Sequence, residues 1–236
     1  MFVGTAGWSI PRASAAAFDE EGTHLQRYAR VLACAEINSS FYRPHTPATY
    51  ERWALSTPPG FRFAVKVPRL ITHDQKLRRA RRPLSQFLEQ SDGLGPRRGP
   101  LLVQLPPSLA FEARVASRFF DVLRQLYDGF AVCEPRHATW FGAEAEVLLV
   151  RYRIGRVAAD PPRAAGAERP GGWDGVAYFR LHGSPRTYWS SYSDAYLATL
   201  ADTLRALPPT VERWCIFDNT ASGAALANAL GLHQRT

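Results

Sequence analysis

Short apolar runs recur along the chain, and segments with helical periodicity separate most of them. A strand of a parallel sheet that is buried on both faces has this appearance, and parallel neighbours need a crossover between them. The runs predict eight strands at residues 2–6, 34–37, 63–67, 101–104, 131–134, 157–160, 176–181 and 214–217. Eight strand–helix units are the number that closes a (β/α)8 barrel, a TIM-like fold.

Helical periodicity fills the intervals between most of these runs. It predicts helices at residues 24–33, 46–55, 84–90, 112–127, 143–152, 195–206 and 221–232. The interval 161–174 is instead rich in Pro, Gly and Ala, so we expect the sixth helix of an α/β barrel to be missing or replaced by a loop. We expect residues 1–236 to form one such domain, irregular on that side; a doubly wound open sheet is the alternative.

Polar residues fall at the carboxyl ends of the predicted strands. Side chains two residues apart share a face of a strand, so Lys66 opposes Phe63 and Val65, whereas Arg180 and His182 share one side. A barrel gathers these strand ends into one mouth, where barrel enzymes hold their active sites. The alternative is a set of salt bridges that satisfies itself and only closes the barrel.

The candidate site therefore combines carboxylates, cations and titratable imidazoles. We expect Glu134, His182 and Asp218 to carry acid–base chemistry, because a carboxylate beside a cation can act as a base and histidine titrates near neutrality. The expected substrate-binding residues are Trp8, Glu36, Asn38, Tyr42, Lys66, Arg69, His73, Gln104, Arg136, His137, Asp160, Arg180, Tyr188 and Asn219. A metal held by His182, Asp218, Glu134 and Asp160 is a weaker alternative, since nearby cations oppose a divalent ion and no ligand spacing supports it. The sequence leaves the identity of any cofactor open.

The charge balance favours anionic partners. The chain has 29 Lys and Arg residues against 21 Asp and Glu residues, which gives a net charge of +8, and almost all of the basic residues are arginines. Residues 76–82 form the one dense basic run, which suits either a phosphate backbone or a solvated helix face. Three single cysteines favour reduced thiols, and no apolar run is long enough for a membrane span, so we expect a cytoplasmic protein without membrane contact.

Seven stretches of the sequence resemble the YecE-like family, catalogued as domain of unknown function 72. They are residues 4–8 (GTAGW), 36–42 (EINSSFY), 63–69 with 71–73 (FAVKVPR, ITH), 102–107 (LVQLPP), 134–137 with Trp140 (EPRH), 178–183 (YFRLHG) and 217–219 (FDN). The resemblance covers nearly the whole chain and implies a TIM-like barrel, but no reaction. Ala6, Pro135 and the short segment after Asp160 depart from the family pattern, and the last of these leaves the size of the mouth open.

Three functional hypotheses follow from these residues. The first is an enzyme that acts on a phosphorylated or otherwise anionic small molecule, held by Lys66, Arg136 and Arg180. The second is a nucleic-acid binder or an endonuclease IV-like barrel, which rests on fold analogy alone. The third is a module without catalytic activity. The sequence does not decide whether the protein is an enzyme, and it leaves the oligomeric state open.

Overall fold

The strands of the computed structural model, which describes residues 1–236, form one continuous sheet. They are β1 (Phe2–Ala6), β2 (Cys34–Ile37), β3 (Arg62–Lys66), β4 (Arg98–Gln104), β5 (Ala131–Glu134), β6 (Ile154–Arg156), β7 (Ala158–Asp160), β8 (Gly171–Gly172), β9 (Val176–Leu181) and β10 (Glu212–Phe217). Their order is β7-β9-β10-β1-β2-β3-β4-β5-β6-β8, and every pairing is parallel except β6 with β8.

The sheet closes on itself at Val157. This residue alone separates β6, which pairs with β5, from β7, which pairs with β9, and its N–H donates to the Cys133 carbonyl over 2.9 Å. β6 and β7, interrupted only at Val157, thus together occupy one of the eight strand positions of the barrel. The predicted TIM-like barrel is confirmed, and the open sheet is not what forms.

Helices surround most of the barrel. They are α1 (His24–Ala29), α2 (Ser39–Tyr42), α3 (Pro47–Leu55), α4 (Arg81–Ser91), α5 (Ala113–Leu126), α6 (Ala143–Arg151), α7 (Asp194–Ala206) and α8 (Ala224–His233). Local chemistry fixes several starts: Thr23 and Gln26 form a capping box before α1, and Thr46 caps α3 with a proline in its first turn. The short α2 and a π-helical turn over Leu70–Asp74 lay outside the sequence prediction because neither spans enough residues to show a period.

The interval between β7 and β9 contains no helix, as the sequence predicts. The segment instead adds the two-residue strand β8 antiparallel to β6. Arg156 fixes the position of this segment, because its Nη1 donates to the carbonyls of Gly166 over 2.8 Å and Arg169 over 3.2 Å. Beside the outer face of β7 and β9, Glu168 of this tethered loop and α7 line a cavity.

Side-chain parity divides the core into two parts. Phe63 and Val65 face outward into the large core beneath the helices, whereas Ala64 faces the barrel interior. Fully buried Trp214 fills the amino end of the interior, where it stacks on Phe2 with 4.6 Å between ring centroids and on Tyr178 with 6.0 Å. Apolar packing closes that end, so polar side chains gather at the other.

Two further sequence features can be placed in the fold. The three cysteines, Cys34, Cys133 and Cys215, are buried and free, and burial raises the pKa of each thiol. None of the helices combines the length and the apolar character that crossing a bilayer requires.

Candidate anion-binding site at the barrel mouth

Arg180, near the carboxyl end of β9, lies at the centre of the mouth. Its side chain has no exposure to solvent. It donates from Nε to Glu36 Oε2 over 2.9 Å and from Nη2 to Glu36 Oε1 over 2.6 Å. Nη2 also donates to Asp218 Oδ2 over 3.0 Å, and Nη1 donates to Glu134 Oε2 over 2.8 Å. One guanidinium thus joins carboxylates from β2, β5 and the end of β10.

These four hydrogen bonds use most of the donors of Arg180, which was expected to bind the ligand. An arginine offers five N–H donors in a planar fork, and here all three of its nitrogens donate to buried carboxylates. Tyr178 adds a further donor to Glu36 Oε2 over 2.8 Å. Arg180 is therefore the internal counterion of the site, with four of its five N–H groups bonded to carboxylates.

His182 bridges two carboxylates across the mouth. Its Nδ1 lies 3.1 Å from Asp218 Oδ2, and its Nε2 lies 3.0 Å from Glu134 Oε1. Burial acts to lower the pKa of His182, but the charge of Glu134 and the hydrogen bonds that the ring donates to both carboxylates outweigh it and raise the pKa. Two ionised acceptors require two donors, so the ring is the imidazolium form.

Glu134 is the most heavily bonded acid of the mouth. Besides Arg180 and His182, it accepts from Gln104 Nε2 over 3.0 Å and from Arg136 Nε over 3.1 Å. Burial acts to raise its pKa, yet Arg180, His182 and Arg136 together hold the pKa well below the usual range. Such a carboxylate is a poor base, which argues against Glu134 as the proton acceptor.

Lys66 differs from the other cations of the mouth. Its Nζ lies 4.2 Å from the centroid of the Phe41 ring, and it has no hydrogen-bond acceptor and no carboxylate within 4.0 Å. The residue is only 6% exposed. Burial, aided by the charge of Arg180, lowers the pKa of Lys66 to about 8, although the three carboxylates act to raise it.

The charges of the mouth do not cancel. Four cationic groups, Lys66, Arg136, Arg180 and His182, face three carboxylates, Glu36, Glu134 and Asp218. One positive charge remains, and Lys66 carries it because the other three cations are paired. The mouth therefore carries an excess positive charge, which attracts anions.

Several expected residues form the rim around Lys66. Asn38 Nδ2 donates to Asp218 Oδ1 over 3.4 Å, while its buried Oδ1 has no partner. Tyr188 packs edge-on against His182 with 5.8 Å between ring centroids. His73 lies edge-on to Phe41 at 5.0 Å, and burial together with Lys66 and Arg69 lowers its pKa. A neutral imidazole and an amide are thus available to a ligand that reaches Lys66.

Other expected residues lie away from the mouth. Asp160 faces outward beside Phe179 and Leu181, and it accepts from Tyr192 Oη over 2.8 Å. Trp8 packs into the outer core against Trp53 and Phe63. The structure therefore does not bring Asp160 or Trp8 to the candidate ligand.

Local structural bonds engage three of the remaining four, and the fourth, Tyr42, is exposed. Asn219 Nδ2 donates to the Ser190 carbonyl over 2.9 Å, and His137 caps a short 3-10 helix over Ala138–Phe141. Arg69 pairs with Asp74 over 3.2 Å on the surface. Tyr42 is 76% exposed and packs only its edge against Phe41. The sequence prediction omitted one residue of the site, Tyr178. It lies two residues before Arg180 and shares its face of β9, so strand parity could have identified it.

The barrel and its mouth can be compared with known proteins. The family model described as protein of unknown function DUF72 matches residues 2–236. The chain belongs to this family. The DUF72 resemblance drawn from the seven sequence stretches is thereby confirmed.

Relatives and solved structures agree with this membership. The UPF0759 protein YecE of Escherichia coli K12 is 31% identical over 176 residues, which is 72% of this chain but only 62% of that protein. A DUF72 protein from Thermotoga maritima MSB8 has a TM-score of 0.80 and 27% identity, covering 99% of this chain and 97% of that one. One from Enterococcus faecalis V583, with a TM-score of 0.84, 19% identity and coverage of 99% and 94%, shares the fold.

Proposed function

We propose that this DUF72 protein binds a phosphorylated or carboxylate-bearing small molecule at the barrel mouth and acts on it by acid–base catalysis. The observation that carries the proposal is Lys66, a nearly buried ammonium without an acceptor in a site of net charge +1. An unpaired buried charge is costly, and an anionic ligand is the partner that offsets the cost.

The neighbouring groups suit proton transfer to or from a bound anion. With a pKa of about 8, Lys66 exchanges its proton close to neutral pH, as a general acid must. The His182 imidazolium stands behind Asp218, whose Oδ1 receives only the long bond from Asn38. We assign Lys66 to anion binding and proton donation, Asp218 with His182 to proton relay, and Arg136 with Gln104 to positioning of Glu134.

A thermal-shift screen tests this assignment. Inorganic phosphate, phosphate monoesters and small carboxylates would be added to the wild type, to Lys66→Met and to Lys76→Met. Lys76 is the only other lysine of the chain and is exposed, so it is a matched control. We expect stabilisation of the wild type and of Lys76→Met but not of Lys66→Met. The same response in all three proteins would contradict the proposal.

The two alternatives gain less support. In an endonuclease IV-like mechanism, metal ions would lie among the carboxylates, but the Arg180 guanidinium occupies that position here. A structural module would explain Arg180, Glu36 and Tyr178, which satisfy one another. A structural role does not explain why Lys66 is nearly buried, because its ammonium has no hydrogen-bond acceptor.

A further inference from the structure

Residues 77–81 of the basic segment 76–82 form one wall of a second cavity, separate from the mouth. This cavity has a volume of about 420 Å³ and lies between the segment and the face of α5 that carries Val115, Phe119 and Val122. Four arginines line it, namely Arg78, Arg79, Arg81 and Arg118, and no acidic residue does. The segment is therefore part of a defined concave site and not a uniformly solvated helix face.

Most of the positive charge at this cavity is not compensated. Arg78 donates to both carboxylate oxygens of Glu112, over 3.0 and 2.9 Å. Arg81 donates to the neutral amide oxygen of Gln125, while Arg79 and Arg118 form no ion pair. Three guanidinium groups thus keep a full positive charge around one small volume.

The backbone of the segment that carries these arginines has an unusual conformation. Lys76, Leu77 and Arg79 have φ values of 49°, 66° and 52°, in the left-handed region that side chains disfavour. Leu77 is buried and its N–H donates to the Ile71 carbonyl over 2.9 Å, which fixes the turn. α4 begins directly after this segment, and its N-cap residue, Ala80, has no side chain that can accept a hydrogen bond. The positive end of the helix dipole therefore has no acidic side chain or cap beside it.

We propose that this cavity, which we call the arginine cavity, binds an oligophosphate group. Arginine forks match phosphate oxygens, and three uncompensated guanidiniums suit an anion that concentrates three or four charges in a short chain. Acidic side chains of a peptide would spread the same charge over a longer surface. The apolar wall formed by Leu77 and Val115 leaves room for an organic group attached to the phosphates.

Calorimetric titration with inorganic tripolyphosphate at physiological salt tests the site. The variant Arg79→Gln/Arg118→Gln removes the two unpaired arginines, both exposed. Its control, Arg151→Gln/Arg153→Gln, removes the same charge from the opposite end of the barrel. We expect the first variant to weaken binding at least tenfold and the second to change it less than twofold. Equal weakening by both would show diffuse attraction to a basic protein and overturn the proposal.

The same titration separates this site from the mouth. Lys66→Met must leave tripolyphosphate affinity unchanged. Loss of binding in Lys66→Met with retention in Arg79→Gln/Arg118→Gln would place the anion in the mouth, and absence of millimolar binding to the wild type would also refute the arginine cavity. A parallel titration with a nucleoside triphosphate assigns the source: tighter binding than tripolyphosphate indicates contact with the apolar wall, and equal binding indicates that the phosphate chain suffices.

Discussion

Arg180 and Glu36 form a two-point ion pair inside the barrel, with Nε to Oε2 at 2.9 Å and Nη2 to Oε1 at 2.6 Å. Neither side chain has any exposure to solvent. Removing one partner of such a pair leaves an uncompensated buried charge, which costs far more than the pair contributes. The pair therefore governs the stability of the whole mouth, since Glu134 and Asp218 share the same cation.

Arg180→Met should destabilise the fold strongly. It leaves three buried carboxylates without their shared cation, and we expect a loss of about 3–5 kcal/mol in the free energy of unfolding, measured by urea denaturation. Arg205→Met, which breaks an exposed pair with Asp202, should change stability by less than about 1 kcal/mol. If Arg180→Met does not refold, Glu36→Gln should give a smaller loss of the same sign. A change in Arg180→Met no larger than in Arg205→Met would contradict the buried-counterion role.

Lys66→Met should stabilise the protein. The lowered pKa, about 8 against 10.5, means that folding disfavours the charged ammonium, and the penalty applies in full below pH 8. Methionine keeps the contact with Phe41 without the charge, so we expect a gain on the order of 1–3 kcal/mol at pH 7. The gain should fade as the pH rises from 8 towards 10.5. A destabilised variant would show that Lys66 has a structural partner.

The stability of the wild type should depend on pH through His182. Its pKa is raised in the folded state, so its contribution is complete below about pH 6.5 and is lost as the pH rises through the raised value. Glu134 and Asp218 have lowered pKa values, so their contribution is present above about pH 4 and is lost as the pH falls further. The combined contribution of these three groups to stability should therefore be greatest between these limits.

Unfolding of His182→Gln over the same pH range provides the comparison. The difference in free energy of unfolding between wild type and variant should shrink above about pH 6.5. An unchanged difference up to pH 9 would mean that the imidazole is not charged. Nitrogen NMR gives an independent check, because both ring nitrogens should carry protons at pH 6.

Gly99→Ala should disturb the closed end of the barrel. An added Cβ would lie 2.6 Å from Cη2 and 2.7 Å from Cζ2 of the buried Trp214 ring. Overpacking of this kind costs about 1–3 kcal/mol, measurable as a lower unfolding midpoint. At Gly60 an added Cβ meets nothing within 4 Å, so Gly60→Ala should be neutral or slightly stabilising. Equal effects would contradict the packing described for Trp214.

Parity along the strands predicted the barrel and much of its mouth. Alternation placed Lys66 opposite Phe63 and grouped Arg180 with His182, and the structure has both arrangements. Asp160 was assigned to the mouth because it ends a strand and not because of its parity, and the structure places it elsewhere. Val157 faces the interior and Asp160 lies three residues further on, so alternation itself directs Asp160 outward.

The pairing of charges could not be predicted from the sequence. Strand parity gathers Glu36, Glu134, Asp218 and Arg180 at one end, but it does not say which cation reaches which acid. That outcome depends on rotamers and on cross-strand distances of a few ångströms. The structure assigns Arg180 to all three acids and leaves Lys66 free, so only one of these two expected anion-binding cations lacks a carboxylate partner.

The most direct test of the anion site follows the Lys66 ammonium by NMR. Two lysines give two assignable side-chain signals in protein labelled at lysine Cε, and exposed Lys76 is the internal control. We predict that Lys66 titrates near pH 8 and that a phosphate monoester raises this pKa without moving that of Lys76. A Lys66 titration that stays unchanged at tens of millimolar phosphate monoester, phosphate and carboxylate would contradict the claim that the mouth binds an anion through Lys66.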